Sequence, residues 1–225
     1  LKAYEFSKII SLLNKFNIRE ICLIGKVNRP NLSNIKIDHV LAKYISQIMM
    51  EYKNGDGQTL DLILFILKNE GFRAKSLKSI DDSFYFNKSD KEYIFSDKNN
   101  DQFDIKKGVS LLNKISKYDN AQAAIISNGY ILGIEAIEGT DQLLKRVASE
   151  KKKLNLISRE GILIKISKIN QSNITDNPVI GPKTILNVVK ANLNGIAIRK
   201  INTIVFNKAK TIKILNENKL NLYFI

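Results

Sequence analysis

The sequence predicts a protein of two small α/β domains. Three observations support this fold class: helical and strand-like patterns alternate in the first half, a hairpin opens the second half, and strands and helices alternate again after it. With 225 residues, the chain is long enough for each domain to have its own core. We place the domains at residues 1–110 and 111–225.

The first half reads as a layered, Rossmann-like arrangement. Apolar residues recur with helical spacing between Tyr4 and Asn17, and the short run Ile21–Ile24 is typical of a strand. Gly71 stands where a chain commonly leaves an α-helix. The predicted elements are helices at 4–17, 38–52 and 59–69 and strands at 21–24, 72–77 and 93–95.

The second half begins with a polar loop at 97–104 and a helix at 105–118 that we expect to connect the domains. Asn128-Gly129 then predicts a tight hairpin, because both residues tolerate a positive φ. The predicted elements are strands at 122–127, 130–136, 162–166, 196–198, 203–206 and 222–225 and helices at 141–150, 183–192 and 208–218.

The charge disfavours a nucleic-acid-binding protein, and the apolar runs exclude a membrane-spanning one. The net charge is +14, but lysines are spread evenly, and the one dense run, Lys151–Lys153, is typical of a solvated helix end. This distribution disfavours nucleic acid and is compatible with phosphorylated ligands or an anionic membrane surface. The longest apolar run, Leu60–Leu67, contains Asp61 and is too short to span a bilayer.

Cysteine and histidine are too scarce for several kinds of chemistry. Cys22 is the single cysteine, which excludes an internal disulfide and suits a reducing compartment, and its apolar neighbours favour a core position. His39 is the single histidine, so a site built on several histidines is excluded. Carboxylates and lysines remain as the groups that could carry chemistry.

Two segments concentrate such groups. Glu135, Glu138 and Asp141 surround a strand-to-helix turn, which suits a phosphate with bound Mg²⁺, although a helix cap with surface acids explains the same pattern. Asp176 precedes Pro178 and Pro182 on a restrained loop, where a catalytic acid or a simple structural turn is equally compatible.

These segments resemble one known family. Glu135-Ala-Ile-Glu-Gly-Thr-Asp141 is similar to its Glu-Ala-x-Glu-Gly-Thr-Asp signature. Gly161-Ile-Leu-Ile-Lys165 with Lys168 and Gln171, and Asp176-x-Pro178-x-Ile180-Gly181, resemble two further motifs. The first half adds Gly25-Lys-Val-Asn-Arg29-Pro30. The family is that of the UDP-2,3-diacylglucosamine pyrophosphatases of the non-calcineurin type.

The resemblance implies two α/β domains, with the active site in the cleft between them, and Mg²⁺-dependent hydrolysis. The products would be UMP and 2,3-diacylglucosamine 1-phosphate, formed in lipid A biosynthesis. Asp176 occupies the place of the essential acid, and we expect metal ligation by Asp176, Glu138 and Asp141. The substrate-binding residues implied are Arg29, Gly139, Thr140, Lys165, Lys168, Gln171, Pro178 and Gly181.

The resemblance also predicts a cytoplasmic protein peripheral to the inner membrane. Its partner would be the UDP-linked glycolipid, collected by transient contact with the membrane surface, and a homodimer is compatible with this prediction. The sequence departs from the family at Ser172–Thr175, where basic residues are usual, and lacks a match to the family's glycine-rich first strand and turn. We therefore expect a leading segment before Leu1. The alternative is a non-catalytic carrier of a nucleotide-linked lipid.

Overall fold

The computed structural model describes residues 5–24, 37–51, 56–96, 99–116, 121–156, 158–168 and 177–225. These residues form two compact units, which divide between Asp81 and Asp82. Each unit contains helices and strands, which confirms the prediction of two small α/β domains. Within the described ranges, no helix has both the length and the apolar content needed to cross a membrane.

The first unit packs helices around a small apolar core beside a two-stranded parallel sheet. Its buried core residues are Phe6, Val40, Leu41, Ile66, Leu67 and Phe72. The helix predicted at 38–52 is two helices that meet at Tyr44, the first capped by Asp38, which accepts from the N–H groups of Val40 and Leu41. Its elements are α1 Phe6–Lys15, β1 Glu20–Ile21, α2 His39–Lys43, α3 Ile45–Glu51, α4 Asp56–Asn69, β2 Arg73–Ala74 and α5 Leu77–Ile80.

The second unit is built on a five-stranded sheet. Its elements are α6 Asn99–Ile115, β3 Ala123–Ser127, β4 Tyr130–Ile134, α7 Thr140–Lys153, β5 Ile162–Lys165, β6 Val179–Ile180, α8 Pro182–Lys190, β7 Gly195–Ile198, β8 Ile204–Val205, α9 Lys208–Glu217 and β9 Asn221–Phe224. The strand order is β4-β3-β5-β7-β9, with β6 and β8 forming a separate parallel pair. The hairpin prediction is confirmed, because β3 and β4 meet at Asn128 and Gly129, both with positive φ.

The two faces of this sheet bury different side chains because successive residues of a strand point to opposite sides. On β5, Leu163 belongs to a core formed with helices α7, α8 and α9, which supply residues such as Leu144, Val188 and Leu215. Ile164 belongs to a second core, to which α6 contributes Ile105 and Leu112.

Helix α6 begins six residues earlier than predicted and is part of the second unit rather than a connector. A Cβ on Gly108 would lie 2.6 Å from Cδ1 of Ile164, so this helix approaches β5 at glycine distance. Asp104 accepts hydrogen bonds from the backbone of Asn128 and Gly129, at 2.8 and 2.7 Å. The compact units therefore divide at Asp81–Asp82, whereas we predicted a boundary at 110–111.

Buried polar side chains form hydrogen bonds at the edge of the sheet where the parallel strands begin. Asp101 accepts a hydrogen bond from Tyr223 at 2.6 Å and another from Asn194. Lys151 is buried, contrary to the solvated helix end that we predicted, and donates to the carbonyl oxygens of Glu160 at 3.0 Å and Asn192 at 2.8 Å. Hydrogen bonds from the ammonium group to these carbonyl oxygens offset much of the free-energy cost of burying its charge.

The opposite edge gathers the segments that the sequence marks as functional. Strands β5, β7 and β9 are parallel, so their carboxyl ends lie together. Strand β3 runs antiparallel to β5 and pairs Ala123 with Lys165, and β4 pairs Ile134 with Ala124. The end of β4 and the end of β5 therefore reach the same edge, which is where α/β sheets commonly bind ligands.

Candidate active site at the carboxyl edge of the sheet

The turn between β4 and α7 carries the carboxylates Glu135 and Glu138 and ends at a glycine. Gly139 is the N-cap of α7 and has φ 79° and ψ 167°, a conformation that is open essentially to glycine alone. It offers no side-chain cap to the helix. The first amide groups of α7 are thus directed toward this edge, as at helix ends that bind anions.

A chain of hydrogen bonds joins this turn to the end of β5. Lys165, the last residue of β5, donates to the hydroxyl oxygen of Thr140, the first residue of α7. Thr140 donates in turn to a carboxylate oxygen of Glu135 at 2.7 Å. The other oxygen of Glu135 accepts from the backbone N–H of Gln122 at 3.1 Å. Lys165 and Thr140 are both buried.

Asp141 connects the starts of α7 and α8. One carboxylate oxygen forms an ion pair with Lys183 at 2.7 Å, and the other accepts from Asn187 at 3.0 Å. Burial acts to raise the pKa of Asp141, but the hydrogen bonds from Lys183 and Asn187, with the charges of Lys183 and Lys165, outweigh it and lower this pKa overall. The carboxylate is therefore ionised at neutral pH.

Glu138 has a different set of partners. Arg146 donates to its carboxylate at 2.9 Å and to the carbonyl oxygen of Ile134 at 3.1 Å. This hydrogen bond is the main reason that the pKa of Glu138 lies below its ordinary value. A shallow cavity beside the pair is lined by Ala136, Glu138, Gln142, Lys145 and Arg146. Glu138 and Asp141, which we predicted to share a metal ion, thus belong to separate polar networks.

The start of α8 is placed by the small parallel sheet. Pro178 is buried, and its carbonyl oxygen accepts a hydrogen bond from the N–H of Ile204 at 2.8 Å, so Pro178 helps to hold β6 against β8. Gly181 is the N-cap of α8 and packs beside Phe206. Pro182 occupies the first turn of the helix, where its missing N–H costs nothing. Lys183 follows directly and reaches Asp141.

The structure brings together five of the predicted site residues: Gly139, Thr140, Asp141, Lys165 and, through the start of α8, Gly181. Lys168 is half-buried and lies three residues beyond β5. Asp176, Gln171 and Arg29 lie outside the described residues, so their predicted roles stay predictions.

Glu135, Lys183 and Asn187 were not predicted as site residues. A signal exists for two of them, because Lys183 and Asn187 are spaced four residues apart and so share one face of α8. The sequence could not show that this face points to Asp141. Glu135 was noted among the carboxylates, but nothing in its spacing indicates the contact with Thr140.

A magnesium ion fits this site in part. Asp141 is an ionised, partly exposed carboxylate, the kind of oxygen donor that Mg²⁺ prefers, and its two oxygens are held here by Lys183 and Asn187. Glu138 is engaged by Arg146 on another side of the turn. Within the described ranges, no three Asp, Glu, His or Cys residues are grouped to hold a metal, and Asp176 lies outside those ranges.

The fold and the site define a two-domain α/β protein whose sheet edge is suited to anions, with two glycine-capped helix starts and two lysines. Comparison with known families identifies it further. Residues 94–223 match the model described as the LpxI C-terminal domain, and residues 1–83 match the LpxI N-terminal domain. The chain belongs to the LpxI family, as the resemblance of its motifs indicated.

A curated relative supports the same family. The chain is 29% identical over 194 residues to the UDP-2,3-diacylglucosamine pyrophosphatase LpxI of Caulobacter vibrioides, a match that covers 85% of this chain and 69% of that protein. The two family matches leave a gap between residues 83 and 94, close to the structural division at Asp81–Asp82. Sequence families and compact units thus agree, within two residues, on where the first domain ends.

Proposed function

We propose that this protein hydrolyses the pyrophosphate bond of UDP-2,3-diacylglucosamine, giving UMP and 2,3-diacylglucosamine 1-phosphate for lipid A biosynthesis. Membership of the LpxI family and the name of the Caulobacter relative support this substrate. The single observation that carries the proposal is the meeting of Lys165, Lys183 and the starts of α7 and α8 at one edge of the sheet.

This edge has the properties that a pyrophosphate diester requires. The substrate carries two negative charges, which must be screened before water can approach phosphorus. Lysine side chains and helix N-termini supply positive potential, and the open space beside Gly139 leaves room for phosphate oxygens near the backbone of α7. The proposed binding groups are Lys165, Lys183 and the first amide groups of α7 and α8.

The reaction proposed is attack by water on the phosphorus next to the sugar. The water oxygen forms a new bond to that phosphorus, and the bond from phosphorus to the bridging oxygen breaks, so the bridging oxygen leaves with UMP. Asp176, which occupies the acid position of the Asp-x-Pro motif, is proposed to accept the proton of the water.

Magnesium is the proposed cofactor, with Asp141 and Asp176 as its protein ligands. When bound, the ion would neutralise phosphate charge and polarise the phosphorus–oxygen bond. The ion pair between Glu138 and Arg146 favours a supporting role for Glu138, which would hold the turn before α7. Asp141 is kept as a proposed ligand because its ionised carboxylate lies at the start of α7, and binding the ion would require Lys183 to leave this carboxylate.

The lipid part of the substrate leads to a proposal on location. A diacylated glucosamine resides in a membrane, so we place the protein in the cytoplasm, in transient contact with the inner membrane. The net charge of +14 favours an approach to an anionic lipid surface.

The test is release of UMP from UDP-2,3-diacylglucosamine, measured by chromatography with Mg²⁺ and with excess chelator. We expect hydrolysis with the metal, its loss with chelator, and a drop of about 10²–10⁴-fold for Asp176→Asn. The affinity for substrate should survive in this variant, because asparagine keeps the size of the side chain. A folded wild-type protein that binds the substrate and releases no UMP with several divalent ions would instead support a carrier.

A further inference from the structure

Glu135, which lies just before the turn into α7, is held by hydrogen bonds from both its backbone and its side chain. Its backbone N–H donates to the carbonyl oxygen of Ala123 at 2.9 Å. Its two carboxylate oxygens accept from different partners, the backbone of Gln122 at 3.1 Å and the hydroxyl of Thr140 at 2.7 Å. Both carboxylate oxygens are thus held, one by the residue before β3 and the other by the first residue of α7.

The direction of the hydrogen bonds in this cluster follows from the groups present. A lysine ammonium can only donate, so the oxygen of Thr140 accepts from Lys165. The single hydroxyl proton of Thr140 is then directed to Glu135. Glu135 therefore sets the orientation of the hydroxyl, and that orientation presents a lone pair to Lys165.

Lys165 needs such a partner because it is buried at the end of β5, with 8% of its surface exposed. A buried ammonium is costly unless polar or charged groups surround it. The carboxylate of Glu135 supplies a negative charge two hydrogen bonds away. Asp141 is also near. Burial is the largest single effect on the pKa of Asp141 and raises it, but Lys183, Asn187 and the charge of Lys165 together lower it overall. The long, flexible lysine is thereby held at one position on the sheet edge.

We propose that Glu135 is a positioning residue that, through Thr140, holds Lys165 in place to bind the pyrophosphate of the substrate. This inference rests on the proposed function. Glu135 acts through two other side chains and does not itself touch the substrate. A pre-placed cation binds a phosphate group with less loss of side-chain freedom on binding, which favours both affinity and rate.

A purely structural role for Glu135 would give a different pattern of effects. If its hydrogen bonds only tied the turn before α7, its loss would reduce activity by the same factor whether or not Lys165 is present. If it acts through Lys165, its loss should have no further effect once Lys165 is removed. A double-mutant cycle separates these cases.

The experiment compares wild type, Glu135→Gln, Lys165→Met and the double variant in the UMP-release assay, with kcat and KM determined separately. Glutamine keeps the size of the side chain but loses the charge and one acceptor oxygen. We expect Glu135→Gln to lower kcat/KM by about 10–100-fold, a loss typical of a group that orients another. Lys165→Met should lower kcat/KM further, and the double variant should have the same kcat/KM as Lys165→Met. Glu150→Gln, a change at an exposed position near the other end of α7, is the matched control and should keep full activity.

A second readout uses inorganic pyrophosphate, whose affinity for the same four proteins is measured by calorimetry. Weaker pyrophosphate binding by Glu135→Gln, with no added loss in the double variant, supports the proposal. This holds even if the wild type hydrolyses nothing. Absence of hydrolysis would overturn the proposed function but not the role of Glu135. Equal losses in both backgrounds, or unchanged binding by Glu135→Gln, would overturn the role of Glu135. Absence of pyrophosphate binding by the wild type overturns the placement of the phosphate site at Lys165, whereas the proposed function is decided by UMP release alone.

Thr140→Val provides an independent variant if Glu135→Gln does not fold. Valine has nearly the shape of threonine and removes only the hydroxyl that joins Glu135 to Lys165. The same cycle with Lys165→Met should again show no added loss. A folded Thr140→Val protein with normal kcat/KM and normal pyrophosphate affinity contradicts the proposed chain of contacts.

Discussion

Single residues at the sheet edge owe their properties to partners that are distant in sequence. Asp141 is an example, because Lys183 and Asn187 lie more than 40 positions away and hold its two carboxylate oxygens. The sequence predicted Asp141 as a functional acid from its place in the turn before α7. It could not predict the ion pair, since that depends on how α7 packs against α8.

The lowered pKa of Asp141 has a consequence for stability. A carboxyl group whose pKa is lower in the folded than in the unfolded state stabilises the fold above its unfolded pKa, about 3.9 for aspartate, and this contribution disappears as the pH falls through the folded value. Asp141→Asn should therefore lower the melting temperature at neutral pH and lower it less under strongly acidic conditions.

Thermal unfolding of both proteins between about pH 2.5 and pH 7 measures this effect. The difference in melting temperature should be constant at neutral and mildly acidic pH and shrink below about pH 4. A difference of the same size throughout the range would mean that the Asp141 carboxyl group is not held in its charged form by Lys183 and Asn187.

At the scale of elements, the patterns of periodicity predicted most helices and strands but not their assignment to domains. Asn128-Gly129 fixed the hairpin, since two positive φ angles in sequence leave little choice of turn. Helix α6 was predicted to begin only at Ile105, because the polar residues before it resemble a loop, and to connect the domains. Its buried polar residues, Asp101 and Asp104, bond to strands and a turn far along the chain. No local pattern carries that information.

The two glycine caps at the site offer a test of the local geometry. Gly139 has a positive φ, whereas Gly181 has φ −169°, an extended conformation that any residue adopts. Gly139→Ala should destabilise the protein by about 1–3 kcal/mol through backbone strain, although a methyl group there meets no neighbouring atom within 4 Å.

Gly181→Ala is the matched control. Its added methyl group would lie 3.4 Å from Phe206, an ordinary contact, so stability should stay the same or rise by up to about 1 kcal/mol. Urea unfolding of both variants measures the difference. Equal stabilities for Gly139→Ala and Gly181→Ala would contradict the special conformation at the start of α7.

At the scale of the whole molecule, family motifs predicted more of the function than physical patterns did. Composition and charge excluded several classes of protein, but they did not indicate a pyrophosphate. Thr140 in the Glu135–Asp141 motif and Lys165 at the end of β5 are 25 positions apart in sequence. They meet because β3 pairs with both β4 and β5. The role of Asp176 rests on its motif, since it lies outside the described residues.

The central claim is that the carboxyl edge of the five-stranded sheet binds and activates the pyrophosphate. Its most direct test is the rate of UMP release by Lys165→Met, with Lys190→Met, an exposed lysine in the last turn of α8, as control. Lys165→Met should retain the fold by circular dichroism and lose about 10²–10³-fold in kcat/KM, as is common when a cationic or hydrogen-bonding group that stabilises developing charge is removed. Lys190→Met should match the wild type. A folded Lys165→Met protein that releases UMP at the wild-type rate would contradict the account.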